Sequence, residues 1–152
     1  MDVDNFIDFI IFTRYAGNTD ISTGNNWRAA GGGPSNAPWR FYQWDIDHIL
    51  EGVNVPKPNY TEDPSGLLPI LQPQLEYRVR FHDRVHKHFF NDGALTPAKT
   101  SAKWTQLAAE IDNAIVAESA RWGDYRRDVL QGSGSRDQYD LFHRNQHYVA
   151  YQ

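Results

Sequence analysis

Apolar residues at Val3, Phe6, Ile7, Ile10, Ile11 and Tyr15 recur at the spacing of one helical face. Phe9 and Phe12 widen that face until most of the circumference is apolar, which predicts a central helix buried on several sides over Val3 to Tyr15. Asp2 or Asp4 is placed to cap its start, and Gly17 suits its exit. Asn18 to Pro38 then reads as loop, with Gly31, Gly32 and Gly33 as a flexible connector. "WRFYQWDI", Trp39 to Ile46, alternates bulky residues as a strand does. Residues 52 to 66 carry three prolines and few apolar positions, a surface excursion.

Helical spacing returns in "SGLLPIL" and in "PQLEYRVRFHDRVHKHFF". There Pro73 marks the start, and Leu75, Val79, Phe81, Val85 and Phe89 are the expected buried face. "NDG" at 91 to 93 is a turn. The clearest pattern follows, with Thr96 as cap and Pro97 as first helical residue. Trp104, Leu107, Ala108, Ile111, Ala114, Ile115 and Trp122 form its stripe, Glu118 interrupts it, and Gly123 is the expected end. "QGSGS" at 131 to 135 reads as linker, and Asp137 to Tyr151 as a last, weaker helix. The fold class is therefore mainly α with a small β element (α+β), one short strand or hairpin lying near the acidic residues.

A length of 152 residues fits one domain with a real core. The net charge of −4 gives no electrostatic footprint for nucleic acid or an anionic membrane. Residues 1 to 64 hold nine acidic against four basic residues, while the remainder holds ten against eleven. An acidic front half can hold a divalent cation, and solvated surface acids explain the same imbalance equally well. The absence of cysteine excludes disulfides, thiol chemistry and Cys-type zinc sites. The longest apolar run, "FIDFIIF", is interrupted by Asp8 and is far too short to span a bilayer. No signal peptide is recognisable, and a chain that opens directly on core-grade helix reads as the C-terminal part of something longer.

The loop "GNTDISTGNN" carries the chemistry. Asp20 stands five positions before Asn25 and follows a buried helix, and a strand then leads to Asp45. Protein kinases use that order of parts. A loop Asp accepts the proton of the substrate hydroxyl, an Asn five residues on binds magnesium, and a second Asp reaches the metal. The His-Arg that usually precedes the loop Asp is Asn18-Thr19 here. Turn chemistry is the competing account of Asp20 and Asn25, since Asp and Asn favour loops by bonding their own backbone. Asp45 and Asp47 form an Asp-x-Asp, for which two acids flanking an inward Ile46 is the competing account. His82, His86 and His88 lack the carboxylate partner of a zinc-protease helix and read as structural or surface residues. No Gly-x-Ser-x-Gly elbow supports a serine hydrolase.

Together, "DVDNFIDFIIFTRYAGNTD", "NNW", "WRFYQWDID" and "RVRFHDRVHKHFFNDGALTP" resemble the C-terminal half of the CotH family, the spore-coat-protein-H atypical kinases of spore coats and exported bacterial proteins. The resemblance covers residues 2 to about 123. It implies a protein-kinase-like C-terminal lobe over 1–123, a linker at 124–135 and a divergent tail at 136–152. It further implies ATP and Mg²⁺ or Mn²⁺ as cofactors, transfer of the γ-phosphate to protein Ser/Thr, and an exported parent protein. By resemblance Asp20 is the catalytic Asp, and Asn25, or Asn26, binds the metal together with Asp45. Asn18 orders the loop, and Asp47 is the second acid of the family's Trp-Asp-x-Asp. A kinase also needs a phosphate-pairing lysine from an N-terminal lobe. Lys57, Lys87, Lys99 and Lys103 lie in C-lobe-like sequence, so that lobe is expected upstream and the chain alone is expected to be inactive. A non-catalytic structural or interaction module derived from a kinase lobe is the alternative. A nucleotide-sugar transferase using Asp45 and Asp47 ranks below both, because no doubly wound pattern surrounds the motif.

Overall fold

Helix α1 (Val3–Ala16) carries an apolar surface on nearly every side, and Phe6, Ile7, Phe9, Ile10 and Ile11 are all buried. The computed structural model describes residues 1–21, 25–50, 52 and 64–128, with side chains to residue 121. Asp2 caps α1 by accepting from the Asn5 N–H at 3.0 Å. At the other end Gly17 takes the left-handed conformation, φ 63°. Its N–H donates to the Arg14 carbonyl at 3.2 Å, and the Asn18 N–H donates to the Thr13 carbonyl at 3.1 Å. This paired exit satisfies carbonyls that the helix would otherwise leave open.

The segment expected to be loop contains a strand. β1 (Trp27–Gly32) pairs antiparallel with β2 (Ala37–Gln43), in the register Trp27↔Gln43, Arg28↔Tyr42, Ala29↔Phe41 and Ala30↔Arg40. The glycines belong to this hairpin rather than to a free connector. A Cβ on Gly31 would stand 2.5 Å from the Trp39 Cα, so the two strands close only because none is there. Gly33 turns the chain with φ 68°, and its carbonyl accepts from the Asn36 N–H at 3.0 Å. β2 ends at Gln43, short of the expected Ile46.

The inner face of β2 seals α1. Phe41 sits edge-on to Phe6, ring centroids 5.2 Å apart, and touches Phe9 and Trp27 at 6.0 Å each. The Asn5 side chain stands in for a missing strand: its amide donates to the Phe41 carbonyl at 3.2 Å, and its Oδ1 accepts from the Phe41 N–H at 2.6 Å. Gln43 donates to the Thr13 hydroxyl at 2.6 Å, and Thr13 in turn donates to the Phe9 carbonyl.

A 3₁₀ turn (Ser65–Leu67) leads into the short helix α2 (Leu68–Leu71) and then into α3 (Leu75–Phe89). Pro64 and Ser65 are buried, so the excursion expected over 52–66 is back in the interior by residue 64. Residues 53–63, with Lys57, lie outside the described residues. The buried face of α3 also departs from expectation. Leu75 and Val79 are exposed and Tyr77 is buried, because α3 meets α1 through charge as well as through apolar side chains. Arg80 reaches Asp4 at 2.9 Å. Arg84 grips Asp8 with both Nε (2.7 Å to Oδ1) and its terminal nitrogen, and His88 Nε2 lies 2.8 Å from the same carboxylate. Tyr15 stacks edge-on against Phe89. The contacts advance together along both chains, so α1 and α3 run parallel. His82 and His86 are exposed, as a structural or surface reading requires, with His86 stacked on Phe90.

The chain divides into two compact units, Met1–Gly93 and Ala94–Gln152. Within the second, α4 (Pro97–Asp128) begins at the expected proline, and the Thr96 backbone carbonyl accepts from the Thr100 N–H at 3.0 Å. It runs through Gly123 rather than ending there, since one glycine inside a helix costs only about 1 kcal/mol relative to alanine. Among its described side chains only Ala108 is buried; Trp104, Leu107 and Ile111 stay about half exposed. The Trp122 side chain, the linker at 131–135 and the last expected helix lie outside the described residues.

Candidate metal and phosphoryl-transfer site

The paired exit of α1 launches Thr19 and Asp20 away from the core. Asn18 is fully buried beneath them, and its Oδ1 accepts from the Asp20 N–H at 3.0 Å, which fixes the loop as it turns. The segment after β2 is laced back onto this loop. The Trp44 N–H donates to the Asn26 carbonyl at 3.2 Å, the Thr19 N–H to the His48 carbonyl at 3.1 Å, and the Leu50 N–H to the Ala16 carbonyl at 2.8 Å. Asp45 makes the bend with φ 50° and Asn26 with φ 58°, a conformation that Asp and Asn tolerate better than most side chains.

These ties converge on Asp20. The Asn26 amide donates to the Asp20 carboxylate at 2.6 Å and to its backbone carbonyl at 2.8 Å. From the other side come Asp47 and His48. One ligand atom from each of Asp20, Asp47 and His48 lies within 4.8 Å of the other two. Ligands about 2.1 Å from an octahedral ion stand about 3 Å apart when adjacent and about 4.2 Å when opposite. The three groups therefore fit around one divalent cation with only small side-chain adjustment. Two exposed carboxylates beside a half-buried imidazole are also a chemically suitable donor set for such an ion.

Of the residues singled out in sequence, Asp20 is central, and Asn18 orders the loop. Asn26 rather than Asn25 is the amide that reaches Asp20, and Asn25 is exposed. Asp47 is the carboxylate in the cluster; Asp45 is exposed and serves as the bend. His48 was not foreseen. The signal was present, since it is the histidine of the acidic front half and directly follows the Asp-x-Asp. Arg28 lies over the Trp44 ring at 5.0 Å and holds that side chain beside the bend.

A family model described as CotH kinase protein matches residues 1–149. The chain belongs to the CotH kinase family. No curated protein and no solved structure matches it. As a member of the CotH kinase family the chain has a kinase-like, mainly helical α+β fold, and the match runs well into the second unit. Kinase-like families generally use ATP and a divalent metal, which is the chemistry this donor set suits. No helix among the described residues is long and apolar enough to cross a membrane.

Proposed function

We propose that this chain supplies the metal and acceptor side of a site that transfers the γ-phosphate of ATP to protein Ser or Thr hydroxyls. The observation that carries the reading is the meeting of Asp20, Asn26, Asp47 and His48 at the end of a buried helix, in a chain of the CotH kinase family. In the reaction the acceptor oxygen bonds to the γ-phosphorus, the bond from that phosphorus to the bridging oxygen breaks, and ADP departs. The acceptor's proton passes to Asp20, whose carboxylate is aimed by the Asn26 amide. Asp47 and His48, with Asp20 beside them, would hold the ion, Mg²⁺ or Mn²⁺, which would supply charge neutralisation on the phosphates. A kinase site also needs a cation on the α- and β-phosphates. None of these four residues supplies it, so activity is to be measured in the chain and in the chain extended upstream.

Asp20→Ala, in whichever form of the protein transfers phosphate, is expected to abolish transfer while leaving nucleotide affinity largely unchanged, read by calorimetry beside a transfer assay. Persisting turnover would remove Asp20 from the chemistry. Asp47→Ala is expected to weaken metal-dependent ATP binding more than Asp45→Ala does. If no form of the protein binds ATP with Mg²⁺ or Mn²⁺, the chain is a non-catalytic module built on a kinase lobe.

A further inference from the structure

We propose that His48 is a metal ligand and makes this site select a first-row transition ion such as Mn²⁺ over Mg²⁺. The inference rests on reading the site as a divalent-metal site, and it assigns a residue that the kinase order of parts does not call for. Backbone hydrogen bonds fix the position of His48. Its own carbonyl accepts from Thr19 on the catalytic loop, and two residues on the Leu50 N–H bonds the last carbonyl of α1. With its carbonyl and the amide two residues on both tied to the exit of α1 and the loop that follows it, the imidazole is delivered beside the two carboxylates, at a position where it is half buried.

The chemistry of the third donor then decides the ion. Mg²⁺ demands hard oxygen ligands and gives up its waters reluctantly, so exchanging a water for an imidazole nitrogen gains it little. First-row transition ions accept nitrogen readily while keeping the carboxylates. A site of Asp20 and Asp47 alone would take either ion. Adding His48 strengthens binding of the transition ion and leaves Mg²⁺ nearly where it was.

The test uses the whole chain with Mn²⁺ alone, followed by Mg²⁺ competition. Pulsed electron paramagnetic resonance of bound Mn²⁺ is expected to show modulation from a directly coordinated imidazole nitrogen, a signature that a merely structural histidine would not give. By calorimetry, His48→Gln is expected to lower Mn²⁺ affinity by about tenfold or more, as losses of metal-site residues commonly do. Mg²⁺ affinity should change far less, and Asp47→Asn should weaken both ions. Absence of nitrogen modulation in the unmodified protein, or an unchanged Mn²⁺/Mg²⁺ ratio in His48→Gln, overturns the proposal. If nitrogen-coordinated Mn²⁺ binds but ATP with Mn²⁺ is neither bound nor consumed, even by the upstream-extended chain, His48 stands as a ligand and the phosphoryl-transfer reading fails.

Discussion

Helices α1 and α4 were both predicted from the spacing of apolar residues, and both form, yet they end in opposite circumstances. α1 is apolar almost all round and is enclosed, by the hairpin through Phe41 and by α3 through Asp8 and Tyr15. α4 carries a narrower stripe, and Trp104, Leu107 and Ile111 on it remain about half exposed. Periodicity reports which face of a helix prefers to leave water, and it carries no information about what covers that face. The polar interruptions differ in the same way. Asp8, inside the apolar run of α1, is met by Arg84 and His88, whereas Glu118, which interrupts the stripe of α4, is exposed.

The largest effect should come from breaking the enclosed side of this comparison. Phe6 is fully buried against Phe41, and Phe6→Ala should cost about 4 kcal/mol through lost burial and the cavity left behind. Trp104→Ala removes a larger side chain that is 52% exposed and should cost under about 1 kcal/mol. Urea titrations followed by circular dichroism measure both. Equal costs would mean that the stripe of α4 is covered as thoroughly as the surface of α1.

The next effect sharpens the charged contact between α1 and α3. Burial by itself would raise the pKa of Asp8, but the hydrogen bonds and charges of Arg84 and His88 outweigh it and hold the carboxyl below its usual value. The same contact raises Arg84, its hydrogen bond to Asp8 outweighing burial. Removing Asp8 takes the hydrogen-bonded carboxylate away from the partly buried Arg84 guanidinium, so Asp8→Ala should cost about 2 kcal/mol near neutral pH. Because the folded-state pKa of Asp8 is depressed, its stabilisation is complete above the ordinary value of 3.8 and is lost as pH falls through the lower folded value. Solvent reaches about a third of the Asp8 side chain, which keeps the pH-dependent part modest. The unmodified protein should therefore lose more stability than Asp8→Ala between pH 5 and pH 2, and parallel pH profiles would exclude Asp8 as a source of that loss.

What was legible in the sequence divides along the same line. α1, its Asp2 cap and its Gly17 exit depend on residues within a few positions of one another, so local spacing was enough. β1 was hidden because Ala29, Ala30, Gly31 and Gly32 have little strand preference of their own. They form a strand because β2 supplies the ladder and Trp39 needs the space beside Gly31. The face of α3 was misread because apolar spacing favoured Leu75 and Val79, while the helix is docked by Arg80, Arg84 and His88 on acids some 76 to 80 positions earlier in the chain. At the site, the order of Asp20, an asparagine and an acidic strand end could be read directly. Which asparagine and which acid meet Asp20 could not, because that depends on positive φ at Asn26 and Asp45. With Asp45 in the bend, the two-residue alternation of a strand no longer relates Asp45 to Asp47.

The smallest expected effect isolates the comparison at a single residue type, since both helices contain a glycine that sequence reads as an end. Gly17 does end α1, with φ 63° and two backbone donors turned onto the Arg14 and Thr13 carbonyls. An alanine there would hold its Cβ in the left-handed region, and Gly17→Ala should cost about 1 kcal/mol. Gly123 lies within α4, where the chain stays helical to Asp128, and there the penalty runs the other way. Glycine gives up more backbone freedom than alanine on entering a helix, so Gly123→Ala should stabilise by up to about 1 kcal/mol. Opposite signs in paired denaturation curves are the expected result. If both substitutions destabilise, Gly123 is a true helix end and α4 stops at the boundary its sequence suggests.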